Sequence, residues 1–269
     1  MQMLFCTLFS GSSGNCLFIG TEKDKILIDA GVSASRTVKE LEAIGVDIHD
    51  IKALLVTHEH SDHISGVGVL SRKYGLPVYA TPGTWRGMST KIGNISPYNH
   101  IEIDPEQDFY IGELSISPFP IPHDANEPCG YVVRCRRASV AVATDIGCIR
   151  KSWLEVVSQT SSVLLESNYD SAMLSAGSYT YELKRRIQGT KGHLSNDDAA
   201  QAALELANRG VQSLILGHLS KENNFPELAY QSVIARLREA GYDPEAEGRP
   251  HITLAPRDGH GALHVIETD

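Results

Sequence analysis

The stretch Thr57-His58-Glu59-His60-Ser61-Asp62-His63 decides how the rest of this 269-residue sequence is interpreted. It follows a run of apolar residues, and three histidines and one aspartate fall within six positions. Because strand side chains alternate, His58 and His60 share one side of an extended segment, and the next turn brings Asp62 and His63 to a second point. The alternative is a polar loop of solvated histidines, which would require four ligand-type side chains to occur at this spacing by chance. The stretch therefore predicts a loop that serves two cations.

The composition is that of an ordinary soluble globular protein, with 42% apolar and 21% charged residues. A net charge of −9 argues against a protein that coats nucleic acid through bulk charge. It does not exclude a nuclease, since bound cations supply local positive charge. No stretch approaches the roughly 20 apolar residues that span a bilayer. The five cysteines form no C-x-x-C pair, which indicates reduced core residues in a cytoplasmic protein without a membrane partner.

Strands and helices alternate in the first third of the chain, which indicates α/β layering. Residues 3–9 and 16–19 predict a hairpin, and residues 251–266 predict a terminal β-pair. A helix is predicted over 64–74, directly after the histidine loop. No linker, repeat or low-complexity segment interrupts the sequence, so we expect a single domain over 1–269.

Further ligand-type residues stand where predicted strands end. His123 follows the strand 114–119; a lone histidine is more often structural, but this chain still lacks a metal ligand. Asp145 precedes a glycine turn and could cap a helix, although a two-metal site needs a bridging anion, which favours the bridging role. Asp29 has the same setting, and we expect it to orient the histidine loop as an acceptor rather than to cap a helix.

Along the chain, the candidate ligands are five imidazoles and two carboxylates. This number is sufficient to bind two divalent cations. The predicted ligands are His58, His60 and His123 for one cation, Asp62, His63 and His218 for the other, and Asp145 between them. Zinc or manganese fits this donor set, and iron fits as well.

In order and spacing, these motifs resemble the metallo-β-lactamase superfamily over essentially the whole chain. They comprise Ile-Asp29-Ala-Gly, His58-x-His60-x-Asp62-His63, His123, Asp145 and His218. The resemblance implies an α/β fold, a four-layer αββα sandwich of two facing sheets with outer helices and the site at one sheet edge. The motif set is specific for the superfamily and does not identify the substrate.

Narrower motifs resemble the YycJ/WalJ group of bacterial exonucleases. They are Phe9-Ser-Gly-Ser-Ser-Gly-Asn-Cys16, Leu165-Glu166-Ser-Asn168, Gly192-His193-Leu-Ser-Asn-Asp-Asp-Ala-Ala200 and Gly217-His218-Leu-Ser-Lys-Glu-Asn-Asn224. This resemblance implies phosphodiester hydrolysis, with 5′ exonuclease action on DNA as the leading expectation. RNA or a nucleotide is the alternative partner.

The charges of the predicted site suit a phosphate. Two divalent cations, less the charges of two aspartates and a bridging hydroxide, leave about +1, which one phosphodiester nearly neutralises. We expect a hydroxide activated by both metals to attack phosphorus, with Asp62 accepting its proton. By resemblance to tRNA-processing enzymes, His193 protonates the leaving alkoxide and Glu166 holds and charges that imidazole. The alternative for His193 is a histidine of a helix cap.

Basic and polar residues near these motifs are candidates for substrate contacts. A cluster of cationic side chains is usually a solvated face, but this cluster leads directly into the motif that contains His193. The candidates are Lys184, Arg185, Arg186 and Lys191 for neighbouring phosphates, and Ser13, Asn168, Lys221 and Asn224 as further contacts.

Other functions are compatible with the same sequence. The main rival is a small-molecule hydrolase of the same fold: a cyclic nucleotide phosphodiesterase, a thioesterase or a lactonase. Thioesterases of this fold usually append a helical substrate domain, whereas about 50 residues follow His218. A non-catalytic metal-binding or regulatory module and a redox di-iron protein would use similar ligands. The sequence leaves open the metal, the choice between DNA and RNA, the end polarity and the oligomeric state.

Overall fold

A computed structural model describes residues 2–243 and 250–268 of the chain. The chain divides into two compact units, which are described separately. Unit 1 comprises Met1–Pro120, Ala125–Ser139 and Pro256–Asp269, and unit 2 comprises Ile121–Asp124 and Val140–Ala255. The expectation of a single domain stays a prediction.

Strands and helices alternate through much of the described chain. The strands are β1 (Gln2–Phe9), β2 (Cys16–Gly20), β3 (Lys25–Ile28), β4 (Ile51–Leu55), β5 (Val78–Ala80), β6 (His100–Glu102), β7 (Phe109–Ile111), β8 (Leu114–Pro120), β9 (Cys129–Cys135), β10 (Ala138–Ala143), β11 (Ser162–Glu166), β12 (Ser213–Gly217), β13 (His251–Leu254) and β14 (His264–Glu267). The α-helices are α1 (Ala34–Ala43), α2 (Ser61–Ile64), α3 (Val67–Tyr74), α4 (Pro82–Ile92), α5 (Lys151–Val157), α6 (Ser171–Ala176), α7 (Tyr181–Ile187), α8 (Asn196–Asn208) and α9 (Pro226–Glu239). Two 3₁₀ helices span Ile48–Asp50 and Pro97–Asn99.

Unit 1 contains a mixed sheet with the strand order β14-β1-β2-β3-β4-β5-β6. Strands β3 to β6 are parallel, and β14, β1, β2 and β3 are antiparallel neighbours. The predicted hairpin of β1 and β2 is confirmed, with Phe5 opposite Ile19. The apolar side chains of β3, β4 and β5 join those of α1 and α3 in one buried cluster that includes Leu27, Leu54 and Leu70. The burial of these side chains fixes the positions of β3 and β4, and with them the sheet edge at which both strands end.

In unit 2, four neighbouring strands run parallel in the order β13-β12-β11-β10. The carboxyl ends of parallel strands meet at one edge, where α/β proteins bind their ligands. Asp145 follows β10, Glu166 ends β11 and His218 follows β12, so neighbouring strands deliver these three side chains to the same edge. In unit 1, β7, β8 and β9 pair antiparallel.

One prediction of local structure is wrong, and another is confirmed only in part, since α3 covers Val67–Tyr74 of the predicted helix. The terminal strands do not pair with each other, because β13 pairs with β12 and β14 pairs with β1. The helix predicted over 64–74 is divided at Gly66, whose N–H donates to Ala30 O at 2.7 Å. An added Cβ on Gly66 would lie 2.3 Å from Val32 O, so the backbone approach requires glycine and interrupts the helix.

Two expectations from composition can also be compared with the structure. No helix in the described ranges has both the length and the apolar character needed to cross a bilayer. All five cysteines are free thiols; four are buried and Cys148 is half-buried. The prediction of core cysteines without disulfides is therefore confirmed for four of the five.

The start of α8 generates a prediction about stability. Ser195 Oγ accepts from Asp198 N at 3.1 Å, and Asp198 Oδ2 lies 3.4 Å from Ser195 N, which together form a capping box. Ser195→Ala should lower the free energy of unfolding by about 1 kcal/mol, because one N–H of the first turn loses its acceptor. Ser232→Ala is the matched control, since that hydroxyl bonds only to Leu228 O within α9. Urea unfolding of both variants measures the difference, and equal midpoints would contradict the prediction.

Candidate metal centre

A buried carboxylate holds the histidine loop in unit 1. Asp29, which is 1% exposed, follows β3, and its oxygens accept hydrogen bonds from Thr57 N, Thr57 Oγ1 and His63 Nδ1, each at 2.8 Å. The parallel neighbours β3 and β4 end side by side, which brings Asp29 to the start of the loop. The prediction that Asp29 orients the loop as an acceptor is confirmed.

The same hydrogen bonds determine which nitrogen each imidazole presents. Thr57 Oγ1 donates its hydrogen to Asp29, so it accepts from His58 Nδ1 at 3.0 Å. His63 donates its Nδ1–H to Asp29. In both rings Nε2 then carries the lone pair, which is the arrangement found in metal-binding histidines.

The four ligand-type side chains of the loop lie close together, and the ring centroids of His58 and His63 are 4.1 Å apart. The rings of His58 and His60 meet edge to face with centroids 4.6 Å apart. Asp62 Oδ2 lies 3.6 Å from His63 Nε2. Two atoms bound to one tetrahedral zinc at 2.0–2.2 Å are roughly 3.4 Å apart, so this separation fits a shared cation.

The turn between β1 and β2 supports the histidine loop. The sequence alone did not reveal this support. Asn15 N donates to Asp62 O at 2.8 Å, and Asn15 Nδ2 lies 3.0 Å from His63 Nε2. Gly31 N donates to Asn15 O at 2.7 Å, and a Cβ on Gly31 would lie 1.6 Å from Asp62 O. Asn15 is thus a further functional candidate. The Gly-Asn pair at the end of the turn was the sequence signal that could have identified Asn15 as a candidate.

In unit 2, Glu166 plays the part that Asp29 plays in unit 1. This fully buried carboxylate accepts from His193 Nδ1 and His218 Nδ1 at Oε1, each at 2.8 Å. Its Oε2 accepts from the backbone N–H groups of Ile146 and Leu194 at 2.9 and 3.0 Å. Four donors therefore fix the carboxylate, and both imidazoles carry their hydrogen on Nδ1.

The pKa values of this pair are shifted in opposite directions. Burial alone would raise the pKa of Glu166, but the charges and hydrogen bonds of His193 and His218 outweigh it and lower the pKa to about 2. Burial would lower the pKa of His193, but the charge and hydrogen bond of Glu166, with the charge of Asp145, raise it above its ordinary value. This direction favours the protonated form of His193, whose side chain is 19% exposed.

Asp145 lies among three imidazoles of unit 2. Its Oδ1 is 3.6 Å from His123 Nε2, 3.6 Å from His218 Nε2 and 3.7 Å from His193 Nδ1. His123 directs Nδ1 to Gly192 O at 3.1 Å, so its Nε2 carries the lone pair. The first two separations suit a carboxylate that shares one cation with each histidine. The donor types and distances in unit 2 thus fit the predicted bridging ligand.

Strand-end residues of the candidate set adopt a strained backbone. Asp29, Asp145 and His218 have φ values of 60°, 58° and 55°, a region that residues other than glycine seldom occupy. His218 is held there by Asn168, whose Nδ2 donates to His218 O at 2.8 Å. Such strain costs on the order of 1–3 kcal/mol per residue and concentrates at functional sites.

The amides predicted as substrate contacts are buried instead. Asn168 holds the backbone of His218, as described above. Asn224 Nδ2 donates to Ser167 O, Asn168 O and Asn196 Oδ1, and its Oδ1 accepts from Phe225 N. Both polar groups of the Asn224 side chain are therefore hydrogen-bonded within the protein. Both amides therefore support the backbone where β11 and β12 end. The sequence does not show that these side chains are buried.

The charged and hydroxyl candidates lie at the surface. Arg185, Arg186, Lys191, Lys221 and Ser13 are exposed, and Lys184 is half-buried. Lys184 Nζ donates to Ser175 O at 2.7 Å. Arg186 pairs with Asp124 through Nε at 2.5 Å and Nη2 at 3.2 Å.

Comparison with known proteins shows the family of this chain. A family model described as a β-lactamase superfamily domain matches residues 24–219. The chain belongs to the metallo-β-lactamase superfamily. The exodeoxyribonuclease YycJ of Bacillus anthracis is 39% identical over 242 residues, covering 90% of this chain and 92% of that protein. The exodeoxyribonuclease WalJ of Streptococcus pneumoniae serotype 2 (strain D39) is 40% identical over 240 residues, covering 88% of both. Within the superfamily, the chain therefore belongs with the YycJ and WalJ proteins.

Solved structures confirm the fold. The metallo-β-lactamase fold protein YhfI from Bacillus subtilis matches with a TM-score of 0.70 at 14% identity, covering 98% of this chain and 100% of that chain. Unliganded yeast PDE1 matches with a TM-score of 0.70 at 15% identity, covering 97% and 99%. The predicted fold class, with two mixed sheets and flanking helices, is confirmed.

The hydrogen bonds of Asp29 generate a prediction about metal affinity. Asp29→Asn should weaken Zn²⁺ binding by about 10–100-fold, because an amide has one accepting oxygen where the three donors of Thr57 and His63 use two, and the ring of His63 is then less firmly oriented. Isothermal titration with Zn²⁺ measures the affinity. Asp47→Asn, at an exposed carboxylate that accepts from His49 N, should leave affinity unchanged. Equal affinities for the two variants would contradict the orienting role.

Proposed function

We propose that this protein is a metal-dependent phosphodiesterase that acts as a 5′ exonuclease on DNA. Support comes from relatives named exodeoxyribonucleases that are 39% and 40% identical over nearly the whole chain. The observation that carries the proposal is the Glu166–His193 pair, in which Nδ1 of a partly exposed imidazole lies 2.8 Å from Glu166 Oε1 and 3.7 Å from Asp145 Oδ1. A phosphodiester has an alkoxide leaving group, and that group needs such a proton donor.

The proposal includes two divalent cations, zinc or manganese, served by the ligand sets of both units. The residues that would hold them are His58, His60, Asp62, His63, His123, Asp145 and His218. When bound, the cations would supply Lewis-acid stabilisation of the phosphate oxygens and a water of lowered pKa. Support comes from the donor chemistry of each set, in which Nδ1 of His58, His63, His123 and His218 is engaged by a protein acceptor.

Two side chains carry out the proton transfers in this scheme, and a third positions one of them. Asp62, whose side chain is 24% exposed, accepts the proton of the attacking water. His193 directs Nδ1 to Glu166, so the proton it gives to the leaving oxygen is the one on Nε2. Glu166 is a positioning residue, because it sets the charge and orientation of His193 without reaching the substrate itself.

The surface candidates complete the proposed substrate contacts. Lys184, Arg185 and Lys191 hold neighbouring phosphates, with Ser13 and Lys221 as further contacts. Arg186 anchors α7 through its pair with Asp124 and adds positive charge to the same helix. A cytoplasmic location accompanies this proposal, since DNA is the substrate and the cysteines are free thiols.

End-labelled substrates test the proposed activity. Purified protein with Zn²⁺ or Mn²⁺ is incubated with DNA and RNA, as single strands and duplexes, labelled at either end. We expect DNA to be shortened from the 5′ end, so that a 5′ label is released at once in a mononucleotide while a 3′ label stays on long products. Hydrolysis of a thioester or a lactone without hydrolysis of any phosphodiester would contradict the proposal.

The role of His193 predicts a dependence on the leaving group. His193→Ala should reduce the rate on DNA by about 10²–10⁴-fold, because the alkoxide leaves without a proton. On an aryl phosphodiester with a p-nitrophenolate leaving group, the same variant should retain most of the wild-type rate, since that anion needs no proton.

A matched variant and a clear contrary result complete this test. His49→Ala, at an exposed histidine paired with Asp47, should behave as wild type on both substrates. An equal loss on both substrates in His193→Ala would mean that His193 does not protonate the leaving group.

A further inference from the structure

The helix α7 presents side chains to solvent without burying any of its own. None of its residues is buried, and Tyr181 is 69% exposed. A seven-residue helix is too short to be stable alone, so its neighbours must hold it. Thr180 caps it by accepting from Leu183 N, Lys184 binds Ser175 O, and the pair between Arg186 and Asp124 ties it down. These contacts fix the helix and leave Tyr181 and Arg185 outward.

The charge of this segment is opposite to that of the chain. The protein carries a net charge of −9, yet residues 181–191 contain four cationic side chains and one carboxylate, Glu182. Arg186 is paired with Asp124, whereas Arg185 and Lys191 have no carboxylate partner in the part of the chain that the structure describes. A local cationic surface on an acidic protein favours a polyanion over an apolar or basic protein partner.

An aromatic ring stands within this cationic surface. Arg185 lies one helical turn after Tyr181, with its guanidinium carbon 5.8 Å from the ring centroid. Exposed aromatic rings and guanidinium planes beside phosphate-binding cations are how proteins bind unpaired bases without reading their sequence. We propose that Tyr181 and Arg185 form a stacking platform for an unpaired nucleobase of the substrate strand. This inference takes its substrate class, DNA, from the proposed function. It adds that α7 contacts a single-stranded segment of that DNA.

The backbone connects this platform to His193. His193 N donates to Ile187 O, the last residue of α7, at 2.9 Å. The turn between them is tight, because a Cβ on Gly192 would lie 2.1 Å from Ile187 O and 2.3 Å from Arg186 O. A base stacked on α7 therefore holds its strand at a fixed distance from the proposed proton donor, which restricts the phosphodiester that reaches His193.

Binding to two strands that differ only in their bases tests the platform. The metal-loaded protein is titrated with phosphorothioate oligothymidylate, which resists hydrolysis, and with an abasic phosphorothioate strand of equal length. Tyr181→Ala should weaken binding of oligothymidylate by about 5–150-fold, the effect of losing one stacked base, and leave the abasic strand unaffected. Tyr181→Phe keeps the ring and should keep the wild-type affinity for both strands.

Tyr110→Ala is the matched control. Tyr110 is 71% exposed, comparable to Tyr181, but its neighbours Asp108 and Glu113 are acidic, so this variant should bind both strands as wild type does. Unchanged binding of oligothymidylate by Tyr181→Ala, or an equal loss on both strands, would overturn the platform. A protein that loses oligothymidylate binding in Tyr181→Ala but cleaves no DNA would keep the platform and refute the proposed exonuclease.

Discussion

Two buried carboxylates, Asp29 in unit 1 and Glu166 in unit 2, determine how the imidazoles of this protein are presented. Burying a carboxylate costs several kcal/mol unless donors replace its water. Asp29 has three such donors and Glu166 has four, and in each set at least one donor is a histidine Nδ1–H. The requirement to satisfy the carboxylate therefore also fixes the tautomer and direction of the rings, so stability and metal-binding geometry depend on the same hydrogen bonds.

The backbone is strained where it turns out of the sheets to present these groups. Three of the four residues other than glycine with positive φ in the described chain are Asp29, Asp145 and His218. Glycine would relieve that strain but would remove the carboxylate or imidazole. The cost, on the order of 1–3 kcal/mol each, is offset by hydrogen bonds such as those from Asn168 to His218 O and from Gly147 N to Pro122 O.

Much of the fold could be predicted from the sequence, because strands and helices leave local patterns. The ligand set stays a prediction, which rests on ligand-type residues at the ends of strands. The orienting role of Asp29 was predictable for that reason. The partners of the last two strands were not predictable, since β13 pairs with β12 and β14 pairs with β1 at the other end of the chain. The roles of Asn168 and Asn224 as substrate contacts stay predictions. Their burial could not be foreseen, because a polar amide in a motif looks the same whether it faces a substrate or a buried carbonyl. Asn15 was missed because its contacts with Asp62 and His63 are formed only on folding.

The central claim is that the seven predicted ligands hold two cations in one chain. Metal analysis of the purified protein by native mass spectrometry, after saturation with Zn²⁺ or Mn²⁺ and removal of excess metal, tests it directly. The account predicts two ions per wild-type chain and fewer than two after Asp145→Ala, which removes the bridging carboxylate. A wild-type chain that retains no metal while it hydrolyses DNA, or two ions retained with unchanged affinity in Asp145→Ala, would contradict it.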